Sequence, residues 1–134
     1  MYNTVIPIQQ SGHLAMSTSF HDKSPIYRQL SEQLRSLILE GVYRDSDVLP
    51  SVRQISSDQR INPITVSKAF QILVDDGLVE KRRGLGMFVV EGARKQLQEQ
   101  ERRDFLESDW PAFKAKAEKL GYSIVELMST ENRT

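Results

Sequence analysis

Between Leu49 and Val89 the chain is punctuated so closely that only short elements fit. Ser51, with Gln54 three residues on, makes a capping box, so a helix is expected to start there and to end near Gln59 or Arg60. Val52 and Ile55 face inward, and Ile61 plugs the core in the turn. Asn62 then caps another helix and Pro63 takes its first position. Val66, Ala69, Phe70 and Leu73 recur at helical spacing as its buried face. Ile64, Thr65, Ser67 and Lys68 lie nearer its start and are expected to be more exposed, and Gly77 closes it. Two short strands follow, Leu78-Val79 and Met87-Phe88-Val89-Val90. Lys81-Arg82-Arg83-Gly84-Leu85-Gly86 makes the turn between them, its glycines allowing positive φ and close approach to a partner.

A first helix precedes these elements. Ser24 is expected to cap it and Pro25 to occupy its first position. Ile26, Tyr27, Leu30, Leu34, Leu37 and Ile38 form one apolar stripe, and Gly41 ends it. Val42 to Val48 reads as a polar loop and Leu49 as the entry to a short strand. Helices followed by a β-hairpin with a basic, glycine-rich tip are the plan of a winged helix-turn-helix, a mostly α fold with a small hairpin. This domain is expected over 24–91, after a loose arm at 1–23 in which Met16 is an alternative start.

A helical region is expected over 92–134. Ala93 to Asp109 is charged and helix-prone, Pro111 restarts a helix that Gly121 stops, and Ser123 with Glu126 caps a last one. Helices this short leave Trp110, Phe113, Leu120, Tyr122, Ile124 and Leu127 in need of cover, from this chain or a second copy. These six residues are the expected homodimer interface.

Composition narrows the function classes. The 134 residues, 39% hydrophobic and 27% charged, suit one globular domain with an appendage. Without cysteine there are no disulfides and no thiolate metal sites, in keeping with a reducing cytoplasm. No apolar run is long enough to span a bilayer, and Met1 to Phe20 lacks the n- and h-regions of a secretory signal. Both histidines, His13 and His21, fall in the arm; no cysteine nucleophile, metal-ligand cluster or buried carboxylate pair emerges, so neither an enzyme nor a cofactor is expected. Gly84-x-Gly86 has strands on both sides and so is not a dinucleotide loop.

The formal net charge is +0, which argues mildly against a nucleic-acid partner until the charges are placed. Lys81, Arg82 and Arg83 gather at the hairpin, Arg53 and Lys68 lie on the two helices, and Asp45, Asp47, Asp75 and Asp76 sit elsewhere. A local basic patch binds phosphate without a net positive chain. The start of the third helix, with Asn62, Thr65, Ser67 and Lys68, is the candidate major-groove reader. Arg53 can clamp a phosphate or a guanine edge, and Ser51 can offer its backbone N–H to phosphate. Lys81, Arg82, Arg83 and Gly84 form a wing for the minor groove.

Pro25-Ile26-Tyr27-x-Gln29-Leu30, Leu49-Pro50-Ser51-x-Arg53, Asn62-Pro63-x-Thr65-Val66, Gly77-Leu78-Val79 and Arg83-Gly84-x-Gly86-x-Phe88-Val89 closely resemble the GntR family of bacterial transcription regulators. The resemblance covers about 24–90, and the short helical tail resembles the family's YtrA-like branch, which implies homodimerisation through that tail. It further implies DNA contacts at Arg53, at Asn62, Thr65, Ser67 and Lys68, and at Arg83 and Gly84. Ser56 and Ser57 stand where the pattern prefers an alanine and another small or polar residue, and Asp58-Gln59-Arg60 where it carries an apolar core residue near Gln59, so either a looser turn or a slight shift of the second helix is expected. The expected function is that of a DNA-binding transcription regulator, a repressor rather than an activator, holding a palindromic double-stranded operator as a homodimer. The competing class is a winged-helix protein-interaction module. The sequence names neither the operator nor any small-molecule effector.

Overall fold

The computed structural model describes residues 20, 21 and 23–130, so most of the expected arm, including His13 and Met16, lies outside the described residues. The order is α1 (Ile26–Leu39), α2 (Val52–Gln59), α3 (Pro63–Asp75), β1 (Val79–Arg82), β2 (Gly86–Val89), α4 (Ala93–Asp104), a π-helical turn (Phe105–Asp109), α5 (Trp110–Lys119) and α6 (Ile124–Thr130). Two compact units divide the chain, one running through Leu97 and one from Gln98.

The first unit is a winged helix. Its core joins Leu30, Leu34, Leu37 and Ile38 of α1 to Ile55 of α2, Val66, Phe70 and Leu73 of α3, and Val79 and Val89 of the hairpin. Ile61, 8% exposed, fills the turn between α2 and α3 as its position suggests. The strands pair antiparallel, Val79 opposite Val89 and Arg82 opposite Gly86. The preceding loop adds a short third edge: Leu49 donates to the Met87 carbonyl at 2.7 Å, and Val48 bridges Phe88.

The local signals at α2 and α3 hold to the residue. Ser51 Oγ accepts from the Gln54 N–H at 3.0 Å, and Asn62 Oδ1 accepts from the Ile64 N–H at 2.8 Å. At α1 the expectation is corrected. Pro25 is the cap residue and no side chain caps the helix; the Ser24 carbonyl instead accepts from Gln29 Nε2 at 2.6 Å. Gln29, nearly buried, also exchanges hydrogen bonds with the His21 backbone, tying the chain before α1 to the domain.

Two further corrections concern the hairpin and the tail. Lys81 and Arg82 are strand residues, not turn residues, so the loop shrinks to Arg83-Gly84-Leu85. Ladder pairing extends the strand as far as Gly86 allows, and the Leu85 N–H closes the turn on the Arg82 carbonyl at 2.9 Å. Nor does Pro111 restart a helix. α4, the π-turn and α5 follow one another without a loop, and Trp110 N–H reaches the Phe105 carbonyl. The wider π spacing accommodates a proline that has no N–H to donate and whose ring crowds the preceding turn.

The first two turns of α4 belong to the winged helix, beyond the expected division at 91/92. Ala93 and Leu97 are both fully buried in its core. Arg94 Nε donates to the Leu39 carbonyl at 2.9 Å and Gln96 Nε2 to the Asp76 carbonyl at 3.2 Å, satisfying the open C-terminal ends of α1 and α3. In the second unit, Trp110 and Phe113 stack with ring centres 6.1 Å apart. Gly121 ends α5 with φ +83°, and Ser123 and Glu126 form the expected reciprocal box before α6.

Candidate nucleic-acid interface

The side of α3 that faces the hairpin, the start of α2 and the wing enclose an open groove of about 410 Å³. Its rim carries Ser51 from α2, Ser67 and Gln71 from α3, and Lys81, Arg82 and Gly84 from the wing. Phe70 and Met87 form its apolar floor. Five of the residues singled out from sequence therefore converge: Ser51, Ser67, Lys81, Arg82 and Gly84. Gln71 was not among them. It donates to Asp75 Oδ1 at 2.8 Å, and one turn beyond Ser67 its spacing would have placed it on the same flank.

The remaining candidates surround this groove without lining it. Arg53 is exposed on the first turn of α2, and no described carboxylate pairs with it. Asn62 is exposed but commits its amide oxygen to its own helix; Thr65 is half-buried. Lys68 points along the other flank of α3, its ammonium 5.6 Å from the centre of the Tyr27 ring on α1, with Arg28 at 5.9 Å. Tyr27, expected from sequence only as part of the apolar stripe of α1, thus supports two cations. α3 is left with a hydroxyl on the wing side and a cation on the α1 side.

At the wing tip Arg83 is exposed. Gly84 holds φ +76°, and a Cβ there would meet nothing within 4 Å. Gly86 holds φ +117° and lies close enough to Val48 that an added Cβ would touch it at 3.6 Å. One glycine thus frees the tip; the other seats the hairpin on the loop before α2. Arg82 is less free than its neighbours. Glu80 Oε1 accepts from its Nε at 2.9 Å, and its guanidinium stacks on Phe88.

Asp75 and Glu80 are bound to Gln71 and Arg82 on this face, while three other carboxylates are engaged away from it. Asp45 accepts from the Gly92 N–H and Asp47 from the Arg44 N–H, each at 2.8 Å, and Asp76 pairs with Arg35. Serine hydroxyls, free cations and an open glycine on one side of the domain suit an anionic backbone and base edges. Among the described residues no cluster of His, Asp or Glu is placed to hold a metal ion, and no helix is long and apolar enough to cross a membrane.

Known proteins resemble this chain in sequence and in fold. The HTH-type transcriptional repressor YtrA of Bacillus subtilis (strain 168) is 41% identical over 76 residues, 57% of this chain and 58% of that protein. The chain therefore spans less than two thirds of that relative's length. A transcriptional regulator from Oenococcus oeni superposes with a TM-score of 0.69 at 26% identity, covering 86% of this chain and 94% of that one. AraR(DBD) in complex with operator ORX1 superposes with a TM-score of 0.51 at 26% identity, covering 54% of this chain and 93% of that one. The family model described as bacterial regulatory proteins, gntR family, matches residues 26–89. The likeness to the gntR family of bacterial regulatory proteins lies in the winged helix.

Proposed function

We propose that this chain is a transcription repressor of the YtrA type that binds a palindromic operator as a homodimer. The observation that carries the reading is the convergence of Ser51, Ser67, Lys81 and Gly84 on one groove beside the exposed start of α3. That arrangement suits α3 entering the major groove while Arg83 and the open Gly84 tip lie toward the minor groove. Ser51 and Arg53 would grip phosphate from α2, and Lys68, steadied over Tyr27, from the far flank of α3. A two-fold pair of such domains meets half-sites about one helical turn apart, ~10 bp.

The second unit supports the dimer. Phe113, Leu120 and Tyr122 are each at least half exposed, and so are Phe105, Leu106, Val125 and Met128, which sequence reasoning had not placed at the interface. Trp110, Ile124 and Leu127 are half-buried. A second copy presenting the same surface would cover this apolar set. Likeness to a family of regulatory proteins supports binding as the activity.

Selection of bound fragments from genomic DNA, followed by titration over a salt series, tests the proposal. Each phosphate contact should add roughly −0.9 to the slope of log affinity against log salt. A flat slope between low and moderate salt, or failure to enrich any sequence, would favour a protein-interaction module instead.

A further inference from the structure

The first turn of α3 ends in an apolar tip. Asn62 has spent its amide oxygen on the Ile64 N–H. Pro63 is exposed and its side chain carries no hydrogen-bonding group. Ile64 is 68% exposed. The inward face of the helix is already supplied by Val66, Ala69, Phe70 and Leu73, so Ile64 adds nothing to the core. Nor does helix propensity explain it, since a β-branched residue ranks below alanine, lysine or glutamate at an exposed helical position. Packing and local preference therefore both leave this side chain unaccounted for.

A DNA major groove displays donors and acceptors at every base pair and one apolar group, the C5 methyl of thymine. We propose that Ile64 is a specificity-determining residue that reads a thymine methyl in each operator half-site. The inference rests on the DNA-binding reading above and adds to it the identity of a base. Side chains on the opening turn of a reader helix reach base edges, and Ile64 sits there without a polar group of its own. Its discrimination is by apolar contact. Thymine buries its methyl against the isoleucine, whereas cytosine presents an amino group that Ile64 leaves without a partner.

The test uses the full chain and a fragment recovered by selection from genomic DNA. Each thymine is replaced singly by deoxyuridine, which keeps every hydrogen-bonding group and lacks only the methyl. One thymine per half-site is expected at which the replacement weakens binding about fourfold, the worth of one buried methyl. Ile64→Ala should bind the thymine and deoxyuridine fragments equally at that position, while its thermal melting stays that of the parent because the side chain is exposed. Ile64→Val should retain part of the discrimination. The inference is overturned if the parent is indifferent to every replacement, or if Ile64→Ala keeps the same sensitivity. Failure to recover any bound fragment would overturn the DNA reading itself, a result distinct from a bound fragment indifferent to deoxyuridine.

Discussion

The Arg82 guanidinium carbon lies 4.2 Å from the centre of the Phe88 ring across the hairpin, with Glu80 Oε1 within 2.8 Å of its Nη2. The register explains the pairing. Glu80 stands opposite Phe88 and Arg82 opposite Gly86, so all three side chains share one face and glycine leaves room for the guanidinium to fold over the ring. Arg82 braces the wing, while Arg83 at the tip remains available.

The two arginines should therefore separate on mutation. Arg83→Ala is expected to weaken operator binding by about 1–3 kcal/mol and reduce the salt slope by about 0.9, with thermal stability unchanged. Arg82→Ala is expected to shift the salt slope less and to lower stability by about 0.5–1 kcal/mol, through the lost cation–π contact. Binding titrations at several salt concentrations, run beside thermal melts, check both. Equal salt slopes for the two variants would show that the Glu80 pairing does not withhold Arg82 from DNA.

Arg53 provides a cleaner case. It is exposed on a helix already capped by Ser51 and has no described ion pair, so Arg53→Ala should change stability by no more than about 0.5 kcal/mol. Loss of its contact to DNA should cost about 1–3 kcal/mol of affinity. Unchanged affinity on titration against the selected fragment would remove Arg53 from the interface.

What was legible in the sequence was local. Ser51 and Asn62 announce their helices because a cap hydrogen bond spans only two or three residues. The spacing of Val66, Ala69, Phe70 and Leu73 gave the buried face of α3 because helical periodicity is a property of the segment itself. The bracing of Arg82 was hidden because it depends on strand register, and Lys68 over Tyr27 depends on how α1 meets α3. Pro111 misled for the same reason: a helix absorbs proline when a π-turn precedes it, and no residue type signals that turn.

The turn between α2 and α3, where the sequence departs from the pattern it otherwise resembles, should respond in opposite directions to two changes. Ser56 Oγ donates to the Ile61 carbonyl at 2.6 Å, so Ser56→Ala is expected to destabilise the domain by about 1 kcal/mol even though alanine is the residue usually found there. Gln59 keeps a buried amide oxygen with no partner among the described residues. Gln59→Leu should raise stability by about 1 kcal/mol by removing that unmet need. Urea denaturation of the two variants decides the matter, and the reading of this turn fails if their signs are reversed.

Tyr43 links stability to alkaline pH. The ring is 2% exposed, its hydroxyl has no partner among the described residues, and burial pushes its pKa from 10.0 up to about 12. The folded state holds this proton more tightly than the unfolded chain. The associated stability is complete below pH 10 and is lost as pH rises from about 10 to about 12. Tyr43→Phe should not destabilise the domain at neutral pH and should show a smaller loss between those pH values. Parallel denaturation curves at pH 8 and pH 11, taken as approximate brackets of that window, check it; identical alkaline losses in parent and variant would exclude Tyr43 as the source.

Assembly is best tested by substitution in the second unit. Deleting everything after Gly92 would remove Ala93 and Leu97 from the winged-helix core, and losing a buried leucine alone costs about 2–5 kcal/mol. Phe113 and Leu120 are 52% and 62% exposed, so Phe113→Glu and Leu120→Glu should leave each unit folded. If the apolar face they share is the two-fold interface, a charge there is buried twice in the dimer without a partner. Each variant is then expected to sediment as a monomer at micromolar concentration where the parent sediments as a dimer. Operator affinity should fall by about 10²-fold or more, because the second reader no longer binds as a tethered neighbour. A dimer that persists in the doubly substituted chain would place the interface in the winged helix instead.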